Sequence, residues 1–257
     1  MSKLDRVGIL CASCICLTFF SLLVHAQGGY LSLATVQFDV NYQPGVTKED
    51  AQRVADYLQK DYAYLSDKLH LEFKKKVEVR IYDAVGKFLA EINQKKPWRA
   101  VSYYRGVLHV QPVQALILRR IFEQSLSYEL VRGLLDQSVN KGCPQWLREA
   151  FAVYHCGEMA GLTPAYGAKL GSFADLDQDI QEYPNPPQRN DVHYILGRTM
   201  KFLLERYGED KTMGIFRAFD GTTSVEVIFK KEFNEEFSKT EKAWSAHIAS
   251  VTKSLKK

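Results

Sequence analysis

The chain has no surplus of either charge: 34 basic and 30 acidic residues leave a formal net charge of +4 over 257 residues. Its basic clusters, Lys74 to Lys76 and Lys253 to Lys257, are short, so an extended cationic surface for nucleic acid has no basis. The string G-x-S-x-G is absent, which removes the strand-to-helix elbow of a serine hydrolase. Cysteine is scarce. Of five, Cys11, Cys14 and Cys16 fall within an N-terminal apolar run, leaving Cys143 and Cys156. If most of the residues between those two are helical, a rise of about 1.5 Å per residue carries their Cα atoms beyond the roughly 7 Å a disulfide allows. Two free thiols are expected. His155 adjoins Cys156 but does not share its helix face, so a Cys–His nucleophile is not supported either. No internal repeat or low-complexity segment interrupts a composition of 46% hydrophobic and 25% charged residues, that of an ordinary globular protein with one substantial core.

Residues 1–26 have the layout of an export signal. Lys3 and Arg6 precede an uncharged run from Val7 to Val24, and Val24-His25-Ala26 offers small or β-branched side chains where a signal peptidase reads. Cleavage after Ala26 is expected, placing the protein outside the bacterial cytoplasm, periplasmic or secreted. A run of about 18 residues also approaches the length of a membrane span, so an uncleaved anchor is the competing reading. The three early cysteines lack the Leu-small-small context of a lipoprotein anchor.

Beyond the signal, residues 27–112 show strand and helix signals in turn, and residues 113–257 are helical. "LATVQFDVNY" alternates as a strand does, and Val54, Leu58, Tyr62, Leu65 and Leu69 follow a Thr47 cap at helical spacing. "KKVEVRIYDA" alternates again, "VGKFLAEIN" reads as a short helix ended by Pro97, and "RAVSYYRGVLHVQP" as a hairpin turning at Arg105-Gly106. From Val113 to Val139 a single long helix is expected, then a turn at Gly142 to Pro144 and a second helix through "PQWLREAFAVYHCGEM". Residues 160 to 190 read as one long connection, and four more helices follow. The sum is an α+β chain of one domain with two lobes.

Five features together resemble the gluzincin metallopeptidases, specifically the peptidase MA-like family. They are the strand "VEVRIYD" with its short helix, the hairpin leading into a long helix, "YELVR" where the family has HExxH, "PQWLREAFAVY" where it has a string like P-x-W-L-x-E-G-x-A-x-Y, and "LLERYGEDK" followed by a terminal helix with Trp244. The resemblance covers nearly the whole chain after residue 26 and implies a zincin-like fold. It also implies a zinc held by two histidines of one helix and a glutamate of the next, with the glutamate of HExxH as general base. Those ligand positions fall on Tyr128, Arg132 and Glu149, and the base on Glu129. Residues four apart share a helix face, which is why two imidazoles there can grip one metal.

Here both carboxylates remain and both histidines are gone. Arginine offers only donors, and a tyrosine must lose a proton of pKa near 10 before it can bind a metal. No other HExxH occurs. No cofactor is therefore expected, and Glu129 stands as a vestigial general base. His193 and Tyr194, opening a later helix that the family brings near the site, are further cleft candidates; His193 with Glu149 is the alternative route to a rebuilt zinc site. A buried Glu149 lacking its metal requires a cation, and Arg132 is placed to fork onto it while sharing Glu129. The function implied is that of a pseudo-metallopeptidase that binds a peptide or an envelope protein without cutting it, with "SYYRGVLHV" as the strand edge. A metallopeptidase with a rearranged site, and a structural envelope protein whose cleft is filled by Tyr128, are the alternatives.

Overall fold

A computed structural model describes residues 29–92, 99–139, 142–158, 171–182 and 186–254, so residues 1–26, where an export signal is expected, and Pro97 lie outside the described residues. The fold is mixed α/β, a small five-stranded sheet followed by helices.

Strands β1 (Leu31–Ala34) and β2 (Phe38–Tyr42) form an antiparallel hairpin. The sequence reading took "LATVQFDVNY" as a single strand. The chain instead reverses after Ala34, where the Thr35 N–H and hydroxyl both donate to the Phe38 carbonyl and the Phe38 N–H returns to Thr35 Oγ1. Helix α1 (Lys48–Leu69) starts where Thr47 Oγ1 accepts the Asp50 N–H at 3.1 Å and buries Val54, Leu58, Tyr62, Leu65 and Leu69. It carries the chain to β3 (Val77–Ile81), parallel to β2 with Phe38 opposite Val77. After α2 (Val85–Glu91) come β4 (Val101–Tyr104) and β5 (Val107–Val110), joined through Arg105 and Gly106, both at positive φ (52° and 82°) as a two-residue hairpin turn requires. The sheet order is β1-β2-β3-β5-β4, which leaves β4 at one edge.

The long helix expected from Val113 is two: α3 (Val113–Leu118) and α4 (Phe122–Ser138). Arg120 takes a left-handed φ of 57°, its N–H reaches the Ile117 carbonyl, and Ile121 N–H reaches Leu116 O at 3.0 Å. This is a Schellman end with arginine where glycine is usual, so neither glycine nor proline marks it in the sequence. Helix α5 (Gln145–His155) follows Pro144.

A second correction concerns the connection at 160 to 190. Residues 173–182 form α6 (Phe173–Glu182), and α7 (Pro186–Tyr207) already begins inside "YPNPPQRND". Ser172 and Asp175 cap α6 reciprocally: Asp175 N–H donates to Ser172 Oγ, and Ser172 N–H to Asp175 Oδ2. Phe173 lies between two buried tryptophans, 4.0 Å from Trp146 and 4.5 Å from Trp244 between ring centres. The chain ends with α8 (Glu209–Ala218), α9 (Val225–Phe233) and α10 (Phe237–Ser254). One continuous buried cluster runs from Leu33 in the sheet to Ile248 in the last helix. Among the described residues no helix is long and apolar enough to cross a membrane.

Candidate functional site

Helix α4 lies against both the edge strand β4 and helix α5. Gly133 permits the approach to the sheet: a Cβ there would come within 2.9 Å of ring carbons of Tyr103. Tyr128, Glu129 and Arg132 of α4 and Glu149 of α5 are thereby gathered into one group, with both carboxylates buried at 4% and 6% exposure.

Glu129 accepts the Tyr103 backbone N–H at 2.9 Å through Oε2 and two contacts from Arg132 Nη1, at 3.2 and 3.1 Å. Arg132 Nε lies 3.1 Å from Glu149 Oε1, and the Tyr128 hydroxyl donates to Glu149 Oε2. The guanidinium is thus shared between the two carboxylates, and it reaches Glu149 through Nε rather than through the bidentate fork expected from the sequence. Burial pushes the Glu149 carboxyl up. The charge of Arg132, the Tyr128 hydrogen bond and the charges of His193 and Arg99 outweigh it and hold the group below the ordinary glutamate value.

His193, on α7, stacks on Tyr128 with ring centres 5.6 Å apart, and its Nδ1 is 2.8 Å from Glu158 Oε2. Arg189 Nη2 reaches the other oxygen of Glu158 at 3.1 Å. Burial acts to raise the Glu158 carboxyl, but the His193 bond and the charges of His193 and Arg189 lower it on balance. An ionised Glu158 accepts only, so Nδ1 carries the hydrogen. Tyr194, the neighbouring candidate, is turned into the core under the Arg198 guanidinium.

These donors do not fit a zinc ion. Of the three positions that the resemblance assigns to metal ligands, one holds a guanidinium and another a phenol whose hydrogen is donated to the third, Glu149. Glu129 is likewise engaged on both oxygens, by the Tyr103 N–H and by Arg132 Nη1, so its carboxylate is committed to a backbone donor and a guanidinium.

Beside the group, between the start of β4 and the α3–α4 junction, opens a cleft of about 160 Å³ whose walls include Arg99, Val101, Arg119, Glu129, Glu158 and Arg189. The sequence reading missed its arginines and Glu158. Arg99 precedes a strand, Arg119 follows a helix end that no glycine marks, Glu158 precedes the segment read as a connection, and Arg189 lies within it. Only the tertiary fold brings them together.

A separate polar group ties α1, α4 and α5 together. Asp61 accepts Ser127 Oγ at 2.6 Å and His155 Nε2 at 2.9 Å, while Tyr57 OH lies 2.6 Å from Ser127 Oγ. Since the single hydroxyl hydrogen of Ser127 goes to Asp61, the tyrosine must donate, and burial pushes its pKa up to about 12. Ser127 is bound to the carboxylate and not to the imidazole, so it lacks the base a nucleophile needs. Cys143 and Cys156 are free thiols, both pushed up to about 12 by burial. No protein-family model matches the chain, and no curated protein matches it in sequence.

Proposed function

We infer that this chain is a degenerate gluzincin-like protein of zincin-like fold, an exported pseudo-metallopeptidase that binds a peptide or an envelope protein in the bacterial periplasm or outside the cell without cutting it. One observation carries the inference: a single guanidinium, Arg132, bridges the two carboxylates that the resemblance assigns to the general base and the third metal ligand. A cation at that point neutralises two buried acids, as a metal would, but supplies neither an open coordination position nor an activated water. The loss of hydrolysis and the retention of the cleft then follow together.

Strand addition along β4, the binding mode such a cleft suggests, is narrowed by Glu129. Its carboxylate takes the Tyr103 N–H on the outer edge that an added strand would use. A structural protein with a filled cleft is the second reading, favoured by Tyr128, whose ring stacks on His193. Incubating the purified protein with casein and with a peptide pool tests the assignment: retained, uncut peptide supports it. Prompt cleavage of casein, abolished by Glu129→Gln, contradicts it.

A further inference from the structure

We propose that the cleft beside β4 is a subsite for the terminal carboxylate of a peptide, received by Arg99 and Arg119. This rests on the reading of the cleft as a peptide site and names which part of the peptide it takes. Four guanidinium groups surround the three carboxylates Glu129, Glu149 and Glu158, and two of the four are committed: Arg132 to Glu129 and Glu149, Arg189 to Glu158. Arg99 donates to Ser102 Oγ at 3.3 Å, and its nearest carboxylate oxygen, on Glu129, is 3.9 Å away and already held by Arg132. Arg119, exposed on the α3–α4 junction, has no ion pair among the described residues. In the sequence, the stretches 93–98 and 159–170 that flank Arg99 and Glu158 contain Lys95, Lys96 and Lys169 and no aspartate or glutamate. Two arginines lining the cleft, one at each side, therefore lack a dedicated anion, and guanidinium forks suit a carboxylate.

Two features select a chain terminus over a passing strand. The hairpin register turns the N–H and C=O of Val101 and Tyr103 to the outer edge, and Glu129 already occupies the Tyr103 N–H. Only the Val101 pair is left in the cleft, which is enough for one residue of backbone. The cleft volume of about 160 Å³ matches this. A cavity near 150 Å³ holds a single benzene, so the space is about that of one residue and its carboxylate.

The test uses pools of N-acetylated tripeptides of uncharged residues, prepared as free acids, as C-terminal amides, and as amides with one internal aspartate. Affinity for the purified protein is measured by calorimetry at low and high salt. The free acids should bind, the plain amides about tenfold or more weaker, and Arg99→Gln and Arg119→Gln should each cost the free acids about tenfold. Binding should weaken with added salt. Arg119 is exposed, so its variant folds independently of the outcome, and matched thermal midpoints confirm this. Acids and amides binding alike, or no loss in either arginine variant, overturns the carboxylate subsite and leaves peptide binding intact. Internal-aspartate amides binding as well as the free acids overturns the preference for a terminus. Failure of every pool to bind overturns both the subsite and the peptide-binding function.

Discussion

Arg132 Nε stands 3.1 Å from Glu149 Oε1, joining helix α4 to helix α5 through a carboxylate that is 6% exposed. Removing one partner of such a pair leaves the other charge buried and uncompensated, at a cost of about 3–5 kcal/mol. Arg132→Met should therefore destabilise the protein by that order in urea unfolding at pH 7. The double variant Arg132→Met, Glu149→Met should recover the part of the loss that Glu149 accounts for, while Glu129, which Arg132 also holds, stays without its guanidinium. Equal stability of Arg132→Met and the natural protein would remove Arg132 from this role.

The same pair fixes the sign of a pH effect. The native pKa of Glu149 lies below its ordinary value near 4.5, so its contribution is fully present above that value and is lost as pH falls through the native one. In Arg132→Met, burial, the largest single influence on the group, is no longer countered by the guanidinium, and the native value should rise above the unfolded one. The contribution then reverses: the variant should lose stability as pH rises from about 5 to 7, and Glu149→Gln in that background should reduce the slope. Parallel stability profiles for the variant and the natural protein over that range would contradict the assignment.

Gly133 is where α4 approaches the sheet. Alanine there would gain about 1 kcal/mol in helix propensity, yet its Cβ would meet the Tyr103 ring at 2.9 Å. Overpacking costs of about 1–3 kcal/mol should prevail. Gly133→Ala should thus be net destabilising in chemical denaturation, and Tyr103→Ala in the same chain should convert it to a stabilising change.

Asp61 accepts from both Ser127 and His155. Asp61→Ala strands two donors in a group where Ser127 is 4% exposed, and should cost about 2–6 kcal/mol, at roughly 1–3 for each unsatisfied group. A double-mutant cycle with His155→Ala should give a coupling of at least about 0.5 kcal/mol. Strict additivity would show that the helices are not tied through this carboxylate.

Both thiols, pushed up to about 12, should be inert to a thiol reagent at pH 8 in the native protein and react fully after unfolding. Rapid reaction of Cys156 in the folded state would show that the α5 end opens readily.

Where local chemistry decides the backbone, the sequence is sufficient: Thr47 caps α1, and Arg105-Gly106 turns the β4–β5 hairpin. It is insufficient where an arginine adopts a conformation usually left to glycine, as Arg120 does between α3 and α4, or where burial is distant in sequence. Helix α6 is the clearest case. Its polar composition suggested a loop, but Phe173 is held by Trp146 and Trp244 from helices on either side in the chain. The candidate site divides the same way. Arg132 and Glu149 could be paired from the resemblance, which assigns both to positions around one metal. Arg99, Arg119 and Arg189 carry no local signal, because what brings them together is the closure of α7 and β4 around α4.

Zinc content tests the central claim most directly. The protein purified without chelator and exposed to stoichiometric zinc should retain far less than one equivalent after desalting. The Tyr128→His, Arg132→His variant, which places two imidazoles at i and i+4 beside Glu149, should hold about one. A natural protein that keeps about one zinc per chain, released by chelator together with a peptidase activity, would contradict the account.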